Sequence, residues 1–446
     1  MLFLGIDAGA TYLKGAVLDA ENSRVERVIR TSFPSFLSAR EGLREVAPGE
    51  VLDRAEWLLD ELYSAAPDAS GLFVCGQMHG MVLATGEGAA LSNFISWQDG
   101  RAAQPMPGSG GSYFDALASR TDARARQDAG NELRPGLPVS TLFVMKERGE
   151  LPAAPFLPVS LADFLTAHLC HARPVTSATN AAAHGCMDVR RGEWHRGMLA
   201  AVGLDSIEFP SIVPDGTRVG TLSRRWGSMP CYVAVGDQQA ALLGTSLEAG
   251  EMSLNVATGS QVSLLTSDPA AGDYQVRPYF GGQFLRTITH IPAGRSLNLL
   301  LRLLAEMSTG GSGDELWVRL ECAAREVPVT SLQVNLSFFP GALGDCGSIA
   351  NIREDNFTAA HLFRAAIEAM AANYEHCAGR LSPARGWNRL VFSGGLILKL
   401  RTLQEAVVRR FGCTFRIAGQ REDTLQGLAF LASQCAAPAE PMEACR

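Results

Sequence analysis

Residues 2–19 read LFLGIDAGATYLKGAVLD, and residues 250–267 read GEMSLNVATGSQVSLLTS. Each is an apolar run, a polar turn containing glycine, and a second apolar run, which is the pattern of a strand–turn–strand unit. Its return in the second half implies a duplicated α/β chain with a joint near residue 248, giving domains 1–248 and 249–446. The intervening sequence agrees. DRAEWLLDELYSAA has helical spacing at Trp57, Leu58, Leu62 and Tyr63 and leads into the strand GLFVCG. Residues 113–171 read as largely helical, and STGGSGDE at 308–315 as a flexible surface loop. MPCYVAVGDQQAALLGTSL is strand, sharp turn and helix, and CTFRIAGQREDTLQGLAFLAS repeats that order near the end. Two such halves leave a cleft between them, where ligands collect.

The bulk properties narrow the function. A chain of 446 residues, 47% hydrophobic and 19% charged, has the composition of a soluble globular protein. A formal charge of −7 argues against a general nucleic-acid-binding surface. The ten cysteines contain no C-x-x-C pair. The apolar N-terminus meets Asp7 early and lacks a basic leader, and no run is long enough for a membrane span. These features predict a cytoplasmic protein with reduced thiols and no membrane partner. None of the three lysines, Lys14, Lys146 and Lys399, follows a glycine and precedes a hydroxyl residue, so the Walker A phosphate loop is absent.

Chemistry-bearing residues gather at strand ends. GIDAGAT places Asp7 before a turn of Gly9, Ala10 and Thr11, whose amides suit phosphate oxygens, while the carboxylate suits hydrated magnesium; a plain hairpin turn is the alternative. Thr258 and Gly259 hold the matching turn in the second half, so two turns can grip a polyphosphate. Asp237 ends a strand and opens a helix, as an N-cap or as the acceptor of a substrate hydroxyl proton. VCGQMHGM delivers Gln77, Met78 and His79 between two glycines, and SWQDGR brings Trp97, Asp99 and Arg101.

Taken in order, DAGATYLK, GQMHGM, SWQDGR, TNAAAHG, GDQQAALLG, NVATGSQVS and SGGL resemble the FGGY carbohydrate kinases over nearly the whole chain. Within that family they lie nearest the kinases of sedoheptulose, then those of xylulose. The resemblance implies two actin-like, ribonuclease-H-like domains with sugar and ATP in the cleft, and ATP-dependent phosphorylation of a ketose's terminal hydroxyl. It implies Asp237 as general base, and Gln77, Met78, His79, Trp97, Asp99, Arg101 and Gln238 around the sugar. Asp7, Gly9, Thr11, Thr258 and Gly259 would grip phosphate, Asp7 and Asp237 would hold magnesium through water, and Gly394 and Gly395 would lie under the adenosine. The implied partners are a ketose and ATP, with a homodimer admitted. Two positions depart from the family pattern, Ala10 for a threonine and Leu400 for an asparagine. Both fall on the nucleotide side, which leaves a sugar-binding regulator as the alternative reading.

Overall fold

The opening repeat folds as its alternation requires. In the computed structural model, which describes residues 1–37, 42–306, 313–419 and 422–436, β1 (Leu2–Ala8) and β2 (Tyr12–Asp19) pair antiparallel from Leu2↔Asp19 to Ala8↔Leu13. The strand β3 (Arg24–Ser32) continues the meander beside β2. Next comes α1 (Pro48–Ala65), with a proline in its first turn, where the missing N–H costs nothing. Its inward stripe is Val51, Ala55, Leu58, Leu59 and Leu62. Leu58 and Leu62 fall on the expected face, whereas Trp57 points outward and stays 47% exposed. The chain then enters β4 (Leu72–Gly76), buried along its length and parallel to β1.

Residues 113–171 are less helical than their composition suggests. Beyond two short helices, α2 (Pro138–Glu147) and α3 (Leu161–Cys170) are regular. Between them Leu157–Val159 forms a strand, and before α2 a loop carries Gly130, Pro135 and Gly136. Gly130 takes φ 69, and the proline and glycines stop the helix there. Further on, β5 (Gly227–Tyr232) and β6 (Val235–Gly236) each lie parallel to β4, and β6 runs directly into α4 (Asp237–Gly244). The sheet order is therefore β5, β4, β1, β2, β3, with β6 also beside β4.

The second half repeats that plan. There β7 (Glu251–Val256) pairs antiparallel with β8 (Ser260–Thr266), and β9 (Phe284–Ile291) lies beyond β8. On the other side the long helix α5 (Ala359–Leu381) leads to β10 (Arg389–Ser393) and then β11 (Thr414–Ile417), both parallel to β7 in sense. The order β9, β8, β7, β10, β11 matches β3, β2, β1, β4, β5. Each sheet is thus an antiparallel three-strand meander extended by parallel strands, the ribonuclease-H-like arrangement of actin-like proteins. Phe363, Ile367, Met370 and Tyr374 of α5 fill the core of the second sheet.

A single joint near residue 248 is too simple. The chain divides into one unit of residues 1–246, 276–284 and 420 onward, and another of residues 247–275 and 285–419. Of the loop expected at 308–315, residues up to 312 lie outside the described residues, and Gly313 already begins the helix Gly313–Arg325. Among the described residues no helix is long and apolar enough to cross a membrane.

The return to the first unit is made by α6 (Asp423–Ala436), which packs on α4. Two glycines set that crossing. A Cβ on Gly244 would fall 1.9 Å from the Asp423 carbonyl oxygen, and one on Gly427 would fall 1.9 Å from that of Ala240. The two backbones touch, and a methyl group at either point must drive the helices apart. Gly427→Ala is expected to lower stability by about 1–3 kcal/mol, the usual cost of overpacking. Urea unfolding measures it, and an unchanged midpoint would show that the crossing yields freely.

Candidate active site

Three parallel strands of the first unit end in step. Register pairs Ala8 with Gly76 and Gly76 with Gly236. Asp7, Gln77 and Asp237 consequently reach the carboxyl edge of one sheet, where open α/β sheets receive ligands. Three buried polar atoms here have no hydrogen-bond partner among the described residues: Asp7 Oδ1, Gln77 Nε2 and His79 Nε2. Buried polar groups are ordinarily satisfied within the protein, so such a cluster at a sheet edge marks a place for an incoming ligand.

Asp7 is held from several sides. Its Oδ2 accepts from Thr424 Oγ1 at 2.7 Å and lies 3.7 Å from Lys14 Nζ, which donates to Glu422 at 2.7 Å. Burial raises the Asp7 pKa, with Lys14 opposing it. Beside it the turn of Gly9, Ala10 and Thr11 is open to solvent. Asp237 is the first residue of α4, and burial together with the Asp7 charge pushes its pKa up to about 7.

The strand that presents Asp237 is anchored by TNAAAHG. Thr179 Oγ1 accepts from the Gly236 amide at 2.9 Å, and Asn180 Nδ2 reaches the Ala234 carbonyl at 3.3 Å and Asp163 Oδ1 at 3.1 Å. Asp163 also accepts from Ser160 and Thr176, each at 2.8 Å, although burial still raises its pKa to about 7. Asn180 is therefore a tie between a buried carboxylate and the Asp237 strand.

On the other side of β4, His79 takes a left-handed φ of 72, while Met78 is buried and packs on Gly236. His79 Nε2 stands 3.6 Å from Glu132 Oε2. Burial, then the positive charges of Arg134 and Arg277, push the His79 pKa down to about 3 against the pull of Glu132. Glu132 is buried and gripped by the Arg277 fork through Nε and Nη2, and Arg277 Nη1 donates to Gln238 Oε1. That chain of contacts joins His79 to the residue beside Asp237. Arg277 holds the Glu132 carboxyl well below the usual range.

Other expected residues are placed differently. Trp97 is 39% exposed, and its main chain is fixed by the 130–136 loop, since a Cβ on Gly136 would meet the Trp97 carbonyl oxygen at 2.1 Å. Asp99 and Arg101 face each other. Arg101 Nε donates to Asp99 Oδ1 at 2.7 Å, its Nη2 reaches Glu45 at 2.5 Å, and Asp99 Oδ2 accepts from the Arg44 amide at 2.8 Å. Both are buried, and this framework engages their polar atoms. Glu132, Arg134 and Arg277 escaped sequence reasoning. The one local sign was an acid and a base, NELR, set between Gly130 and Gly136.

In the second unit Thr258 and Gly259 form the β7–β8 turn, and Gly394, at φ 88, turns the chain out of β10. Asn255 Nδ2 donates to Ser393 Oγ at 3.0 Å, tying the two strand ends together. Gly395 begins the short helix Gly395–Lys399, and Leu400 after it is buried in the core. The position of Leu400 thus offers no polar side chain.

Residues 2–244 match the model of the FGGY family of carbohydrate kinases, N-terminal domain, and the chain belongs to that family. Sedoheptulokinase of Mus musculus is 25% identical, with 97% of each chain covered. Xylulose kinase of Escherichia coli K12 is 24% identical over 58% of this chain and 53% of its own. Among solved structures, the xylulose kinase of Rhodospirillum rubrum superposes with a TM-score of 0.86 at 19% identity, covering 99% of this chain and 91% of that one.

The depressed His79 pKa has a direct test. Folded His79 stays neutral, whereas an unfolded imidazole gains a proton below pH 6.5, so this residue lowers stability as pH falls from 6.5 toward 3. Its imidazole resonances, assigned by comparison with His79→Gln, should not titrate between about pH 5 and 8. A midpoint near the ordinary histidine value would contradict the buried, neutral side chain.

Proposed function

We propose that the protein transfers the γ-phosphoryl group of ATP to the terminal hydroxyl of a ketose of the sedoheptulose or xylulose type. The observation that carries this reading is the pairing of Asp7 and Asp237 at the ends of strands that finish in step, with neutral His79 and the Arg277–Gln238 contact on the Asp237 side. Asp237 would accept the proton of the attacking hydroxyl, a role that suits a carboxylate whose pKa lies near neutrality. His79 can donate or accept toward sugar hydroxyls because it is neutral, and Met78 supplies adaptable apolar contact. Gln238, oriented by Arg277, would fix the hydroxyl beside the base.

Magnesium fits the residues present. Asp7 has an unpartnered buried oxygen, and its charge raises the pKa of Asp237, so a divalent cation would favour both carboxylates in ionised form. Asp7 and Asp237 would hold it through retained waters. When bound, the ion neutralises charge on the transferring phosphoryl group. The open Gly9–Thr11 turn suits phosphate oxygens with main-chain amides, and Ala10 there removes only one side-chain hydroxyl. In the second unit, Thr258, Gly259, Gly394 and Gly395 are proposed as donor-binding residues. The buried Leu400 gives no hydrogen bond to a base, a loss of about 1 kcal/mol that weakens binding without abolishing it.

An ADP-release screen over pentuloses, hexuloses and sedoheptulose, with ATP and magnesium, tests the activity. At least one should be turned over, and silence with all of them would reject the kinase reading for ketoses. Asp237→Asn should cut kcat by about 100-fold or more with the sugar KM nearly unchanged. Turnover within about threefold of the unaltered enzyme would remove Asp237 from the role of base.

A further inference from the structure

The strand Arg218–Arg224 pairs antiparallel with β5, so that Gly220 faces Cys231 and Leu222 faces Met229. Residues paired in this way send their side chains to the same face. Leu222, Met229 and Cys231 are buried there in one apolar cluster with Phe164, Leu165 and Leu169 of α3. Cys231 therefore points at α3. Gly220 has no side chain to send, and the last residue of α3 fills its place. A Cβ on Gly220 would fall 2.6 Å from Cys170 Cβ and 3.2 Å from Cys170 Sγ. Cys170 thus occupies the position of the cross-strand partner that Cys231 lacks.

Cross-strand partners hold their Cβ atoms about 4.5–5.5 Å apart, close to the roughly 3.5–4.5 Å that a disulfide spans. Both cysteines are free thiols, and Cys231 donates a hydrogen bond to the Cys170 sulfur. That bond lowers the pKa of Cys170 and, with burial, raises that of Cys231. Arg218 adds to the first effect. Its Nη2 donates to Thr221 Oγ1 at 2.6 Å and its Nε to the Gly220 carbonyl at 3.4 Å, which holds the guanidinium at this corner. Access differs as well. Cys231 is fully buried, whereas Cys170 is half-buried at a helix end, so an oxidant meets Cys170 first.

We propose that Cys170 and Cys231 form a reversible disulfide when the protein meets a peroxide. Cys170 sulfur attacks one peroxide oxygen, the O–O bond breaks, and a sulfenic acid and one water result. Cys231 sulfur then attacks Cys170 sulfur, the S–O bond breaks, and a second water leaves with the Cys231 proton. Two thiols are oxidised to one disulfide, and one peroxide is reduced to two waters. A thiol reductant restores both cysteines by exchange. The bond completes a clamp. Asp163, near the start of α3, already holds Asn180, which holds the Ala234 carbonyl. Oxidation would fix the other end of α3 to the same run of chain, the one that leads to Asp237. The clamp is independent of which sugar the site accepts.

Peptide mapping of the full chain tests this. After hydrogen peroxide and digestion without reductant, mass spectrometry should find the Cys170 and Cys231 peptides joined with the loss of two hydrogens. Dithiothreitol should separate them, and Cys170→Ser should abolish the link. In Cys231→Ala, Cys170 has no partner, and peroxide should carry it on to sulfinic acid. Cys435 is a rival, because its Sγ would lie 3.0 Å from a Cβ on Gly216, near the same strand. Cys435→Ser should leave the link intact. The linked protein should also melt about 2 °C or more above the reduced one. Thiols that stay free, sulfinic acid at Cys170 of the unaltered protein, or linkage to Cys435 would overturn the proposal. So would a link that leaves the melting temperature unchanged.

Discussion

The parallel pairing of β4 with β1 on one side and with β6 on the other governs this protein's chemistry. Main-chain register makes Ala8, Gly76 and Gly236 neighbours across the sheet. Nothing in the side chains of Asp7, Gln77 or Asp237 would bring them together without that ladder. Burial raises the pKa of both carboxylates, and the Asp7 charge raises that of Asp237 further. The fold holds them there through hydrogen bonds at a distance from the charges themselves. Thr179 fixes the amide of Gly236, Asn180 fixes the carbonyl of Ala234, and the helix α6 brings Thr424 to Asp7.

A second, shorter framework lies beside His79. Glu132 is buried with a charge, which is tolerable only because Arg277 meets it with two donors. Burial and the charges of Arg134 and Arg277 keep His79 uncharged against the pull of Glu132, and Arg277 orients Gln238. The Asp99–Arg101–Glu45 set resembles it in chemistry but closes on itself and on the Arg44 amide, so it braces the turn after Trp97.

Much of this was legible in the sequence because its signals are local. A strand–turn–strand pattern written twice indicated the duplicated sheets, and Asp7, His79 and Asp237 each stand where an apolar run breaks off at glycine or acid. What could not be read depends on distance along the chain. Glu132 and Arg277 are separated by 145 positions, and Asp7 and Thr424 by 417. No periodicity records such a pair. The Asp99–Arg101 pair is ambiguous in sequence for the opposite reason. Two charges beside a tryptophan look alike in sequence whether they face a ligand or each other, and only burial distinguishes the cases. The return of residues 420 onward to the first unit is equally hidden, because the glycines at which α4 and α6 touch lie 183 positions apart.

The crossing of α6 on α4 also sets an order in biosynthesis. Residues 247–275 and 285–419 contain everything their unit needs, whereas the first unit is complete only when 420 onward has been added. On the ribosome, the unit that begins first is therefore the one that finishes last. Until α6 emerges, α4 presents an apolar stripe including Ala240 and Gly244 with no partner, and β1 lacks the hydroxyl that holds Asp7. Nascent chains stalled before residue 420 would accordingly expose that stripe to chaperones.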